Sequence, residues 1–230
     1  MKSPALKNNK SKSRLSTALI SGGALLVAAA IGLGAYNLWD DSRAQESVDQ
    51  IMEQLKPRQE SMQGSSEDLD SSGELTGDSF PGIDDPLPGE TSDPNMALRE
   101  MPVVEIDGQR YIGTVAIPSL ALELPVMETW DYKKLKISPC RYKGTVYQNN
   151  MIICAHNYES HFGRLKNLKI GDSVLFTDVD GNEFWYTVVE LDTLATTAVE
   201  EMEAGVWDLT LFTCTLGGRT RVTVRCNAVK

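Results

Sequence analysis

Asp208-Leu-Thr-Leu-Phe-Thr-Cys-Thr215, then Gly217-Gly218, then Arg219-Thr-Arg-Val-Thr-Val-Arg-Cys226 read as a strand, a tight connection and a second strand. β-Branched and aromatic residues fill both runs, and two consecutive glycines supply the turn. Cys214 ends the first strand, and arginines open the second. The same texture recurs from about Ala97 to Lys230, in Tyr111–Ile117, Leu122–Met127, Met151–Cys154, Ser173–Thr177 and Glu183–Leu191. Asp107-Gly108 and Asp180-Gly181-Asn182 are hairpin signals between such runs. Only His161–Leu168 and Ala198–Ala204 have a helical look, and both are brief. Many short strands with few helices predict a closed barrel or a sandwich, of which the barrel is favoured here.

The rest of the chain has a different character. The 230 residues carry a formal charge of −10, which makes non-specific nucleic-acid binding a poor expectation. Hydrophobic residues at 41% are too many for a wholly disordered chain, and four cysteines are too few for a disulfide scaffold. Lys2, Lys7, Lys10, Lys12 and Arg14 make residues 1–14 a basic tip, while residues 40–100 are strongly acidic. Between them Leu15 to Trp39 holds no charge, with Tyr36 and Trp39 at its far end. That run is long enough for a membrane span, and its aromatic end suits the interface. The competing reading is a cleaved signal peptide with Ala28–Ala30 at its end, but the apolar run continues past that point. The basic side belongs in the cytoplasm and the bulk of the chain outside it.

Beyond the span, Val48, Ile51, Met52 and Leu55 have helical spacing, so Asp40 to about Leu55 reads as a short helix. From Pro57 to Asn95 the composition turns to Ser, Gly, Pro, Asp and Glu, with turn signals at Pro81-Gly82 and Pro88-Gly89. This stretch reads as a disordered tether. The expected organisation is therefore a basic tip (1–14), an anchor (15–39), an acidic linker (40–96) and a folded domain (97–230).

Three side chains carry the chemistry. Met151-Ile-Ile-Cys-Ala-His156 delivers His156 to the end of one strand, and Cys214 ends another. A lone strand cysteine is usually an inert small hydrophobe. A thiolate nucleophile, however, needs a base or cation beside the sulfur, and acyl transfer needs donors for an oxyanion. A Cys–His–Arg trio meets both needs. Arg219, Arg221 and Arg225 share one parity, so in a regular strand they face one side.

Thr210-Leu-Phe-Thr-Cys214 resembles the TLxTC signature of sortases, the membrane-anchored transpeptidases of Gram-positive cell surfaces. Arg221-Val-Thr-Val-Arg225 is similar to the family strand that bears its arginine, Ala155-His156 to its strand-terminal histidine, and His161–Asp172 to the segment that follows. The resemblance covers about residues 98–230 in the family's order. It implies an eight-stranded sortase-like β-barrel with short helices, preceded by a transmembrane helix and a disordered linker. It implies a thioester on Cys214, His156 protonating the departing amine, and Arg221 binding substrate and oxyanion, with Arg219 as runner-up. The implied partners are secreted proteins with a C-terminal sorting motif of the Leu-Pro-x-Thr-Gly type and an amine acceptor, commonly on a peptidoglycan precursor. No cofactor or metal is implied. The short segment before the Cys214 strand and the lack of a second apolar span lean the subclass towards class D, with class B as the alternative.

The other cysteines also need an account. Cys140, Cys154 and Cys226 are three, so at least one stays unpaired if Cys214 is free. Cys154 and His156, with His161 or Cys140, lack the spacing of known zinc sites, and Cys226 reads as core. Two other functions remain open on sequence: a cysteine peptidase with water as acceptor, and a tethered binding module with a buried Cys214.

Overall fold

The computed structural model describes residues 10–67 and 99–229. The stretch read as tether from residue 68 onward, with its Pro-Gly turns, lies outside the described residues. So do Lys2 and Lys7 of the basic tip. The chain divides into two compact units, Met1–Arg43 and Ala44–Lys230.

In the first unit, helix α1 (Lys10–Glu67) begins. Every side chain from Leu19 to Trp39 is exposed, and the helix is long and apolar enough to cross a membrane. A helix that is apolar on all sides, with no protein around it, is suited to lipid or to a signal sequence rather than to a soluble surface. At its end Trp39 lies against Tyr36 and beneath the Arg43 guanidinium, 5.3 Å from the ring centre.

The second unit starts with the rest of α1. Ala44, Val48, Ile51, Met52 and Leu55 form a buried stripe, one helical face at the spacing the sequence showed. The helix does not stop near Leu55. It runs through Pro57 to Glu67, although an internal proline costs about 3 kcal/mol. Contacts on the far side of Pro57 offset that cost. Gln59 is buried and its Nε2 donates to the carbonyls of Thr177 (3.0 Å) and Asp178 (2.9 Å). The compact unit therefore takes in residues from Ala44, whereas composition alone put the domain's start at 97.

Nine strands follow among the described residues: β1 (Val104–Ile106), β2 (Gln109–Ile117), β3 (Leu122–Met127), β4 (Cys140–Lys143), β5 (Met151–Ala155), β6 (Ser173–Asp178), β7 (Glu183–Ala195), β8 (Leu209–Cys214) and β9 (Thr220–Ala228). The order β2-β3-β4-β5-β8-β9-β7-β6 closes through a β6–β2 pairing into an eight-stranded barrel, and β1 is a hairpin partner outside the ring. The β3–β4 and β5–β8 pairs are parallel and the rest antiparallel. Sequence reading gave seven of these strands. It missed β1 and β4, three and four residues long, too short to show alternation. His161–Leu168 forms turns and one 3-10 turn at Leu165–Asn167, and Ala198–Ala204 holds the single-turn α2 (Val199–Met202).

Local chemistry explains the joints. Asp107 and Gly108 both have positive φ, as a two-residue hairpin turn demands. Asp178 ends β6 buried, its carboxylate accepting from the Asp180 and Asn182 amides, the Asn182 side chain and the Tyr147 hydroxyl. Gly113, with φ 151°, sits where β2 meets β6, and a Cβ there would overlap the Thr177 carbonyl. Glycine thus permits the closure. Inside the barrel lie Met151, Ile153, Leu209, Leu211, Val224 and Cys226 with Phe162 and Phe176. A second cluster, including Cys140, Ile152, Cys154, Phe212 and Met202, belongs to the opposite face of the same strands.

Candidate active site

Alternation along the strands decides which residues can meet. Leu209, Leu211 and Thr213 point into the barrel side, so Thr210, Phe212 and Cys214 share the outer face. On β5 the same logic leaves Ile152 and Cys154 outside, and His156 follows one residue after the strand. On β9 it leaves Arg221, Thr223 and Arg225.

Register then brings three of these together. Cys214 pairs with Arg221 across the antiparallel β8–β9 ladder. Ala155 pairs with Thr213 in the parallel β5–β8 ladder, so His156 stands one step beyond, beside Cys214. Neighbouring strands lie about 4.8 Å apart, which places the three backbones in one short row at the barrel rim. The Thr213 hydroxyl donates to the Ala155 carbonyl at 2.9 Å and ties the two strand ends together. The β8–β9 turn is fixed by the Thr215 amide donating to the Thr220 carbonyl and the Gly218 amide to the Thr215 carbonyl. Gly217 and Gly218, at φ 82° and 68°, supply its left-handed backbone.

Each side chain has a distinct setting. Cys214 is exposed, whereas Cys140, Cys154 and Cys226 are buried, and all four are free thiols. Burial pushes the Cys154 and Cys226 thiols up to about 12, and raises that of Cys140 as well. Three of the four sulfurs are therefore held protonated, out of reach of a substrate. Arg221 lies with its guanidinium carbon 5.3 Å above the Phe212 ring, and Phe212 packs edge-on to Tyr142 at 5.5 Å. The buried Arg221 Nε has no hydrogen-bond partner among the described residues. It is a charged donor that the fold leaves uncommitted beside an exposed sulfur. The His156 ring stacks on Tyr158 at 4.7 Å, and the His156 carbonyl accepts from the Phe162 amide.

Of the three arginines, Arg219 lies exposed in the turn before β9, Arg221 faces Cys214, and Arg225 is buried four residues further on. Phe212 and Tyr158 received no role from the sequence. The signal for Phe212 was present, because it precedes Cys214 by two and so shares its face. Among the described residues, no group of three or more His, Cys, Asp or Glu is placed to hold a metal ion.

The geometry can now be set beside known proteins. The Sortase domain family matches residues 115–229, half of the chain. The chain belongs to the sortase family. It is 29% identical over 123 residues to Sortase A of Bacillus anthracis, a match covering 51% of this chain and spanning 58% of that relative's length. Solved structures that align with the chain include sortase C1 from Streptococcus suis, at 24% identity over 52% of this chain and 73% of that one, with a TM-score of 0.46. The Clostridium perfringens Sortase D5 transpeptidase aligns over 52% and 79% at 18% identity, with a TM-score of 0.47. A Corynebacterium diphtheriae Sortase A lid mutant aligns over 52% and 70% at 22% identity, with a TM-score of 0.46. Sortases named A, C and D thus appear together, and the subclass is not separated among them.

Proposed function

We propose that the chain is a membrane-anchored cysteine transpeptidase with Cys214 as nucleophile, His156 as proton carrier and Arg221 as oxyanion binder. The observation that carries the reading is the register: residues 156, 214 and 221 fall in one row at the barrel rim, and Cys214 alone of the four cysteines is exposed.

The Cys214 thiolate attacks the carbonyl carbon of a sorting-motif peptide bond in a secreted protein. Charge develops on the carbonyl oxygen, where the Arg221 guanidinium donates to it. The C–N bond then breaks, the departing amine takes a proton from the His156 imidazolium, and a thioester remains on Cys214. An acceptor amine, such as one on a peptidoglycan precursor, attacks the thioester carbonyl and loses its proton to neutral His156. The C–S bond breaks and the thiolate returns, so bonds and protons balance without a cofactor. Lys10, Lys12 and Arg14, ahead of the uncharged run that starts at Leu15, support a cytoplasmic N-terminus and a catalytic domain outside.

The full chain in detergent micelles, given a Leu-Pro-x-Thr-Gly-type peptide and an amine, should release a peptide joined to that amine, detected by mass. Hydrolysis at the same rate with or without amine would instead make the protein a cysteine peptidase. No turnover, with a Cys214 that alkylates slowly, would leave a binding module.

A further inference from the structure

The buried sulfurs are not scattered at random over the sheet. Cys140 and Cys154 stand directly opposite each other in the antiparallel β4–β5 ladder. Opposed residues of such a ladder have Cα atoms about 4.5–5.5 Å apart and side chains on one face. A disulfide needs a Cα separation of about 4.4–6.8 Å, so the backbone already holds this pair within its span. Both side chains lie in the same outer cluster, beside Ile152 and Phe212. The Cys154 thiol donates to the Cys140 carbonyl at 3.6 Å and so leans towards β4. The Cys140 thiol donates to the Ser138 carbonyl at 3.4 Å.

The same register excludes the other pairings. Cys154 is opposite Phe212 in the β5–β8 ladder, and Cys214 lies two residues further along β8. At about 4.8 Å between strands and 3.3 Å per residue, their Cα atoms are roughly 8 Å apart. That is beyond a disulfide without movement of the backbone. Cys140 is a further strand away from Cys214. Cys226 packs in the barrel interior, on the opposite face of the sheet from Cys140 and Cys154.

We propose that Cys140 and Cys154 are a cross-strand disulfide site, oxidised by an organic disulfide while the chain folds. The inference is independent of the transpeptidase reading, because it concerns two sulfurs which that mechanism does not use. The Cys154 thiolate attacks the external disulfide, expelling one thiolate and leaving a mixed disulfide. The Cys140 thiolate then attacks the Cys154 sulfur and expels the second. Both chain thiols give up their protons and are oxidised, and the external disulfide is reduced to two thiols that take protons up. Burial holds both thiols protonated in the folded dithiol form. It therefore places the exchange before β4 and β5 are covered, and afterwards shields the bond from reductants. The cross-link ties β5, two residues before His156, to the end of β4 that meets Met127.

The test holds the full chain in detergent micelles with reduced and oxidised glutathione, at a urea concentration just below its unfolding midpoint. Local opening there lets exchange reach equilibrium. Remaining thiols are then alkylated in strong denaturant and the peptides mapped by mass. Under the oxidising buffer, the peptides bearing Cys140 and Cys154 should be recovered joined, lighter than their sum by two hydrogens, with Cys226 alkylated. Alkylated Cys140 and Cys154 under that buffer overturn the inference, as does a link between Cys154 and Cys214. A second measurement reads stability. The oxidised protein should melt roughly 6–12 °C above the same protein reduced, as closing the loop from 140 to 154 requires, and Cys140→Ala should abolish that difference. An equal difference in Cys140→Ala also overturns the inference. If Cys140→Ala does not fold, the mass map of the unmodified chain decides alone.

Discussion

Arg221 and Arg225 sit on one face of one strand, four residues apart, and the molecule uses them in opposite ways. Arg225 is buried and its donors are spent on two backbone carbonyls and a threonine hydroxyl. Arg221 rests on Phe212, keeps a buried Nε without a partner, and lies opposite an exposed cysteine. Residue type and strand face are equal, so neither decides the role. What decides it is the covering: the β7–β8 connection lies over Arg225 and supplies it with acceptors, while the buried Nε of Arg221 at the rim has none among the described residues. An arginine bonded to its own fold stabilises it, and under the proposed mechanism the unpartnered one at the rim serves the chemistry.

That contrast can be broken by exchange of losses. The largest effect should come from Arg221→Ala, with turnover reduced about 100- to 1,000-fold, the usual range for one oxyanion donor, measured as kcat with a sorting peptide. Its thermal midpoint should move little, because the substitution removes a guanidinium whose buried Nε has no partner among the described residues. Arg225→Ala should invert the pattern. Two carbonyls and a hydroxyl lose a charged partner, at about 2–4 kcal/mol, visible as a midpoint lower by roughly 5–15 °C. Arg219→Ala, exposed in the turn, should do neither. Equal kinetic losses at Arg219 and Arg221 would undo the assignment.

A second pair sharpens the same point for sulfur. Cys154 lies on the outer face of β5, two residues before His156, yet burial lifts its thiol from 9.0 to about 12. A raised folded-state pKa contributes stability that is complete below pH 9 and is lost as pH rises towards 12. Replacing Cys154 by alanine should therefore flatten the fall in thermal midpoint over that window, at some general cost in packing. An unaltered slope would show that the sulfur is not what alkali attacks.

The helix α1 offers the smallest of these contrasts in chemistry but a clear one in stability. Residues 19–39 are apolar and exposed on all sides, whereas Ala44, Val48, Ile51, Met52 and Leu55 bury one stripe. A fragment beginning at residue 97 loses that stripe and the Gln59 bonds, and should melt well below one beginning at Ala44. Equal midpoints would mean that the stripe contributes nothing to the barrel.

How much of this could be read from the chain depends on the range of the interactions. Period-two runs such as Leu122–Met127 and hairpin signals such as Asp107-Gly108 are local, and they were legible. β4 was not, because a four-residue strand is made by its partners: Cys140 pairs with Met127 on one side and Cys154 on the other. The helical spacing of Val48 to Leu55 was visible, but not the passage through Pro57, which depends on Gln59 reaching carbonyls more than a hundred residues away. At the candidate site the strand ends marked Cys214, His156 and the arginines, and the family pattern singled out Arg221. The division of labour between Arg221 and Arg225 was hidden, since equal parity gives equal faces and only the folded β7–β8 connection distinguishes them. Phe212 lay in plain sight by parity, but its service to Arg221 needs the β8–β9 register.

The most direct measurement is mass mapping of the full chain after incubation with a sorting-motif peptide in the absence of amine. An acyl group with the mass of the peptide's upstream portion should appear on Cys214, and its formation should be slowed at least about 100-fold by Arg221→Ala. Cys140, Cys154 and Cys226 should stay unmodified. An unmodified Cys214, or an acyl group on any of the buried three, would contradict the account.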